Sequence, residues 1–172
     1  IRWDFGKAVV RFDGTLKGNS VLMKFGPGSE LLGLNIEVSR NAQCDRLLAL
    51  HDDTLVDRLQ LSTEDQLSNG GDDNSDGLVQ IRGSHVNLVA CSLAGADRPL
   101  AALGAAAKPG DSGALLDVKF SDLRLKNFVC GLRVRNVRDC VISGLVATDK
   151  SRNAKTDPGH NAVLAARVQD FK

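Results

Sequence analysis

Six side chains that carry or can carry positive charge, Lys24, His51, Arg82, Lys119, Arg135 and Arg167, each sit beside an apolar residue of an alternating run. The runs pair Met23 with Phe25, Leu48 with Leu50, Val79 with Ile81, Leu116 with Val118 and Leu132 with Val134, and VLAARV (163–168) continues the series. Side chains alternate between the two faces of a strand, so inward apolar pairs leave their polar neighbours facing solvent. Gln80, Asp117 and Arg133 join the outward set by the same rule. Like charges stacked at strand spacing, about 5 Å apart, repel unless something neutralises them, so the row suits a linear polyanion. Two other stretches carry different chemistry. NGGDDNSDG (69–77) gathers Asp72, Asp73 and Asp76, hard oxygen donors of the kind Ca²⁺ takes. TDPGHN (156–161) sets Asp157 near His160 as a candidate acid–base pair, on what is also an ordinary Asp-Pro-Gly turn. No GxSxG, phosphate-binding loop or dinucleotide fingerprint occurs.

Holding such a row requires many short strands in register, and the chain supplies them. Val86, Leu88, Cys91 and Leu93 define a template with apolar or small residues at 0, +2, +5 and +7. Ser29/Leu31/Leu34/Ile36, Thr54/Val56/Leu59/Leu61, Leu123/Leu125/Phe128/Cys130 and Cys140/Ile142/Leu145/Ala147 fit it, each preceded by one of the alternating pairs. The first anchors are separated by 25, 32, 37 and 17 residues. No unit contains the two 3.6-period runs of a stacked-helix repeat, whereas a constant core with variable insertions is what a β-solenoid predicts. The surplus residues fall between one unit's last strand and the next unit's first, at 62–75, 94–112 and 148–160. Within the middle insertion, RPLAALGAAAK reads as a short helix starting at Pro99. Cys44, Cys91, Cys130 and Cys140 show no CxxC spacing and read as small apolar core residues, the last three in inward stacks. Gly77, Gly113 and Gly131 fall where a coil turns into its first strand.

DGLVQIRGSHVNLVACSL (76–93), GALLDVKFSDLRLKNFV (113–129) and GLRVRNVRDCVISGLVA (131–147) resemble coils of the pectin-lyase-like right-handed parallel β-helix. The resemblance covers roughly residues 18–172. It implies an all-β, single-stranded right-handed β-solenoid of about six coils, with long loops after the third strand of several coils. The chain reads as a single domain over 1–172 and as a plausible fragment of a longer parent. In that superfamily the tight turn after the second strand often holds Asn. Asn127 takes that place here, and Gly33, Arg58, Ala90 and Gly144 take the others. In its polysaccharide lyases the first-strand face is the substrate groove, an Arg or Lys abstracts the C5 proton, and a metal ion or further cations stabilise the enolate. Carried onto this chain, the resemblance makes His51, Arg82, Lys119 and Arg135 the catalytic candidates. Lys24, Gln80, Asp117, Arg133 and Arg167 become the substrate-binding ones. No metal-ligating set is assigned, and a bound Ca²⁺ at the 69–77 loop is the one cofactor the residues suggest. TDPGHN is similar to the DPH motif of alginate epimerases of this fold, except that Gly159 separates Pro158 from His160 and no Tyr precedes it.

Composition narrows the partner. The net charge of +1 excludes a globally basic nucleic-acid binder, and no apolar run is long enough to span a membrane. Aromatics make up 4% of residues with no Tyr and one Trp, so sugar recognition here has to run on charge and hydrogen bonds rather than ring stacking. That points to an acidic polysaccharide; its processing by C5 proton abstraction, in an extracellular, cell-surface or virion setting, is what the resemblance implies. IRWDFGKAVV shows neither the apolar run nor the cleavage site of a signal peptide. The other reading is a non-catalytic β-helix: an adhesin, a scaffold or a tailspike segment, the last as a homotrimer.

Overall fold

The computed structural model describes residues 1–16, 20–68, 77–105, 113–148 and 161–172. Those residues form strands and turns with no helix. Every strand pairing among them is parallel, and the strands stack as a β-solenoid of about five turns, close to the count expected. Parallel neighbours are strands of successive turns, so each pairing joins residues roughly 20–35 positions apart rather than hairpin partners.

Three faces run the length of the coil. The first carries Met23–Phe25, Leu48–Leu50, Val79–Ile81, Leu100–Leu103 and the opening parts of two long strands, Cys130–Ser143 and Asn161–Phe171. The second carries Arg2–Asp4, Glu30–Leu32, Leu55–Asp57, Val86–Val89, Leu115–Ser121 and the later part of Cys130–Ser143. Because the long strands run through both, these faces form one eleven-stranded sheet bent at a corner. The third face is a separate six-stranded sheet of Val9–Phe12, Asn35–Val38, Gln60–Leu67, Ser92–Ala96, Arg124–Lys126 and Val146–Thr148. Thr15–Leu16 and Gln43–Cys44 add a short pair.

Alternation puts one apolar column inside each strand row. Val79, Leu100 and Leu132 stack on the first face, Leu31, Val56, Leu88 and Phe120 on the second, and Ile36, Leu61, Leu93 and Leu125 on the third, all buried. All four cysteines are free and buried, as the inward reading requires. Burial pushes the thiols of Cys44, Cys91 and Cys140 up to about 11, with the charge of Asp45 adding to the effect at Cys44.

The corners are built in the left-handed conformation, mostly by residues other than glycine. Between the first and second faces Asp53, His85, Asp117, Asp139 and Asp170 all have φ between 51° and 57°. Between the second and third, Gly33, Arg58, Ala90, Asp122 and Gly144 have φ from 52° to 68°. Asp and Gly tolerate this region best; Ala90 does not. Asn127, also left-handed at φ 52°, is not in that column. It follows the third-face strand Arg124–Lys126, and Asp122 takes the corner position expected of it.

That displacement belongs to a larger one. The template also fits Val118, Phe120, Leu123 and Leu125, and this is the window the coil uses, since Val118 pairs with Val86 and Leu125 with Leu93. Leu116 and Val118 therefore lie on or beside the second face, and the first-face strand of this turn is Leu100–Leu103. Residues 100–103 fall in the expected short helix; their Leu/Ala composition favours one, but pairing on both sides with Val79–Ile81 and Leu132–Arg135 overrides that weak preference. Gly113 precedes a second-face strand rather than a first-face one.

Candidate functional site

Two outward columns run along the first face. One contains Lys24, Ala49, Gln80, Ala101, Arg133 and Leu164. The next contains His51, Arg82, Leu103 and Arg135. Of the residues expected there, Lys24, His51, Gln80, Arg82, Arg133 and Arg135 are brought together. Three are not. Lys119 lies on the second face, level with Asn87 and Val141. Asp117 is the left-handed corner residue before it, because its neighbours Leu116 and Val118 pair with Arg138 and Cys140. Arg167 stands one step past the level of Arg135, between the pairings of Ala166 and Val168, and so falls at the level of Asn136 in register. The first two errors follow from the one-strand slip: a column continues only through strands of one face.

Lys119 and Asp117 instead form a local cluster with His85. The Lys119 ammonium lies 2.8 Å from Asp117 Oδ1, and His85 Nδ1 lies 3.6 Å from Asp117 Oδ2. Hydrogen bonding from Lys119, which outweighs the opposing effect of desolvation, holds the Asp117 carboxyl below its ordinary value, with His85 helping.

The first face is rich in hydrogen-bond donors and poor in acceptors. Among the described residues no carboxylate occurs in either outward column. Gln80 is buried at 2% exposure although it alternates outward, and the side chain of Arg82 lies back along the strand, its Nε donating to Gln80 Oε1 at 2.9 Å. Gln80 Nε2, Arg135 Nε and His51 Nε2 are buried and have no hydrogen-bond partner among the described residues. The first two are donors, and buried donors without acceptors are costly.

Sequence patterning does not single out Arg46 and Arg98, which precede Leu48–Leu50 and Leu100–Leu103 at the same level, two turns apart. Both are engaged in further interactions. Arg98 and Arg133 sit close enough to Cys130 to pull its thiol down against the stronger upward push of burial. Both arginines stand outside the alternating pairs, and only the strand at Leu100–Leu103 shows that Arg98 opens a first-face strand.

The Asp72, Asp73 and Asp76 loop and the Asp157/His160 pair lie outside the described residues. Among the described residues no group of His, Cys, Asp or Glu is placed to hold a metal ion, and no helix is long and apolar enough to cross a membrane. The fold and site together define a parallel β-solenoid with a donor-rich, cationic face. No protein-family model, curated protein or solved structure matches the chain.

Proposed function

We propose that this chain is a pectin-lyase-like β-helix whose first face binds an acidic polysaccharide laid along the solenoid. The observation that carries the reading is the pair of unpartnered buried donors, Gln80 Nε2 and Arg135 Nε, beside His51 and the cations Lys24 and Arg133. A uronate chain supplies what these groups lack, with carboxylate and hydroxyl oxygens recurring at about the spacing of successive turns. His51 is the side chain of the two columns with a ring nitrogen able to take a proton, so it is the candidate base for abstraction at C5. In elimination the electron pair of the C5–H bond would form the C4=C5 double bond as the C4–O bond breaks, and Arg135 would stabilise the developing enolate.

The test is binding of polygalacturonate and of alginate by the intact chain and by the double variant Arg133→Ala/Arg135→Ala. Neither arginine forms an ion pair among the described residues, so folding should be little changed. The parent should bind in a salt-sensitive way, and the variant should bind at least about tenfold more weakly. Equal affinity in parent and variant would remove this reading. Ultraviolet absorbance from a conjugated C4=C5 bond, lost in His51→Ala, separates elimination from binding alone.

A further inference from the structure

The outer surface of the third face is a second groove, of about 650 Å³, on a different sheet from the donor-rich columns. One register column through it reads Asn35, Gln60, Ser92 and Arg124; the adjacent one carries Lys126 beside Arg124. Asn35, Gln60 and Ser92 make no side-chain hydrogen bond, and Arg124 and Lys126 no ion pair, among the described residues. The two carboxylates at the groove differ: Glu37 is already held by Arg11 at 3.0 Å at the far end, while Asp122 stands at the corner near Arg124. Along its length the groove therefore offers three neutral hydrogen-bonding side chains one turn apart, then two cations side by side. Outward Val9 and Val146 close the column at either end.

We infer that this groove binds a hydroxyl-rich oligosaccharide carrying a single anionic group. The sugar hydroxyls meet Asn35, Gln60 and Ser92, which can each donate and accept, and the anion meets Arg124 and Lys126. A pyranose unit is about as long as the turn spacing of the solenoid, so consecutive units fall opposite consecutive turns. The pattern differs from the first face, where donors and cations recur on several turns and call for a ligand charged along its length. The two sites are independent, since they stand on different sheets with different residues.

The probe is sialyllactose, a neutral disaccharide bearing one carboxylate sugar, with lactose as the uncharged control. Titration followed by amide chemical shifts should show saturable sialyllactose binding. Perturbed amides should fall in Asn35–Val38, Gln60–Leu67, Ser92–Ala96 and Arg124–Lys126. Arg124→Ala/Lys126→Ala should weaken binding by about tenfold, as expected when two exposed cations are removed together, and lactose should bind correspondingly less well. Arg133→Ala/Arg135→Ala, which tests the first face, should leave sialyllactose binding unchanged. No saturable binding, full affinity in the Arg124/Lys126 variant, equal affinity for lactose, or weaker binding in the Arg133/Arg135 variant would each overturn the assignment.

Discussion

At the scale of single residues, close stacking of turns decides which positions tolerate change. A Cβ on Gly83 would collide with the backbone nitrogen of Asp52 and the carbonyl carbon of His51 in the turn below. Since backbone cannot yield as a flexible side chain can, Gly83→Ala should cost about 3 kcal/mol in denaturant unfolding. Ala90 gives the opposite sign. It is exposed and held at φ 52°, so Ala90→Gly relieves left-handed strain of about 1–2 kcal/mol and returns part of that as unfolded-chain entropy. The expected net is a gain of about 0.5 kcal/mol. Asp117 makes a third test. Its carboxyl is held low mainly by Lys119, so Lys119→Ala should move its titration upward toward the ordinary carboxylate value. An NMR titration reads this directly, and an unchanged Asp117 would show that the contact is not formed in solution.

At the scale of elements, the strand Leu100–Leu103 is where sequence patterning and structure part company. Met23–Phe25, Val79–Ile81 and the Leu132/Val134 stretch are legible because apolar residues alternate with polar ones, and Leu48–Leu50 because its leucines are spaced by a small residue and bounded by the polar His51–Asp53. Leu100–Leu103 has no polar residue, so it carries no period-two signal, and its outward members Ala101 and Leu103 are buried like its inward ones. With that strand silent in the pattern, the next alternating run stands in for it, and Lys119 and Asp117 move with that run to the wrong face. The left-handed corners are partly legible: the position is identifiable, but Asp122 occupies it where Asn127 is expected. Leu100 provides the check. Buried in a column between Val79 and Leu132, its truncation in Leu100→Ala should cost about 2–5 kcal/mol, whereas a leucine on an exposed loop helix would cost well under about 1. The amides of this strand should also exchange slowly with solvent.

At the scale of the whole molecule, the interior is a set of continuous apolar columns and the chemistry is confined to the outside. Four thiols share that interior, and three hold their protons to about pH 11 because burial disfavours the thiolate. The unfolded chain releases the same protons near 9.0, so between these values the unfolded state binds fewer protons than the folded one. Stability from these groups is thus complete below about pH 9 and falls as pH rises towards 11, and native thiols should label slowly throughout the neutral range. Outside, the solenoid places a cationic, donor-rich face on one sheet and a polar groove on another, and the first of these carries the functional reading. Its most direct test is amide chemical-shift mapping of a hexagalacturonate on the intact chain. The account predicts perturbations centred on Lys24, His51, Gln80, Arg133 and Arg135, with Asn87 and Val141 of the second face unaffected. Perturbations confined to the second or third face, or none at saturating ligand, would contradict it.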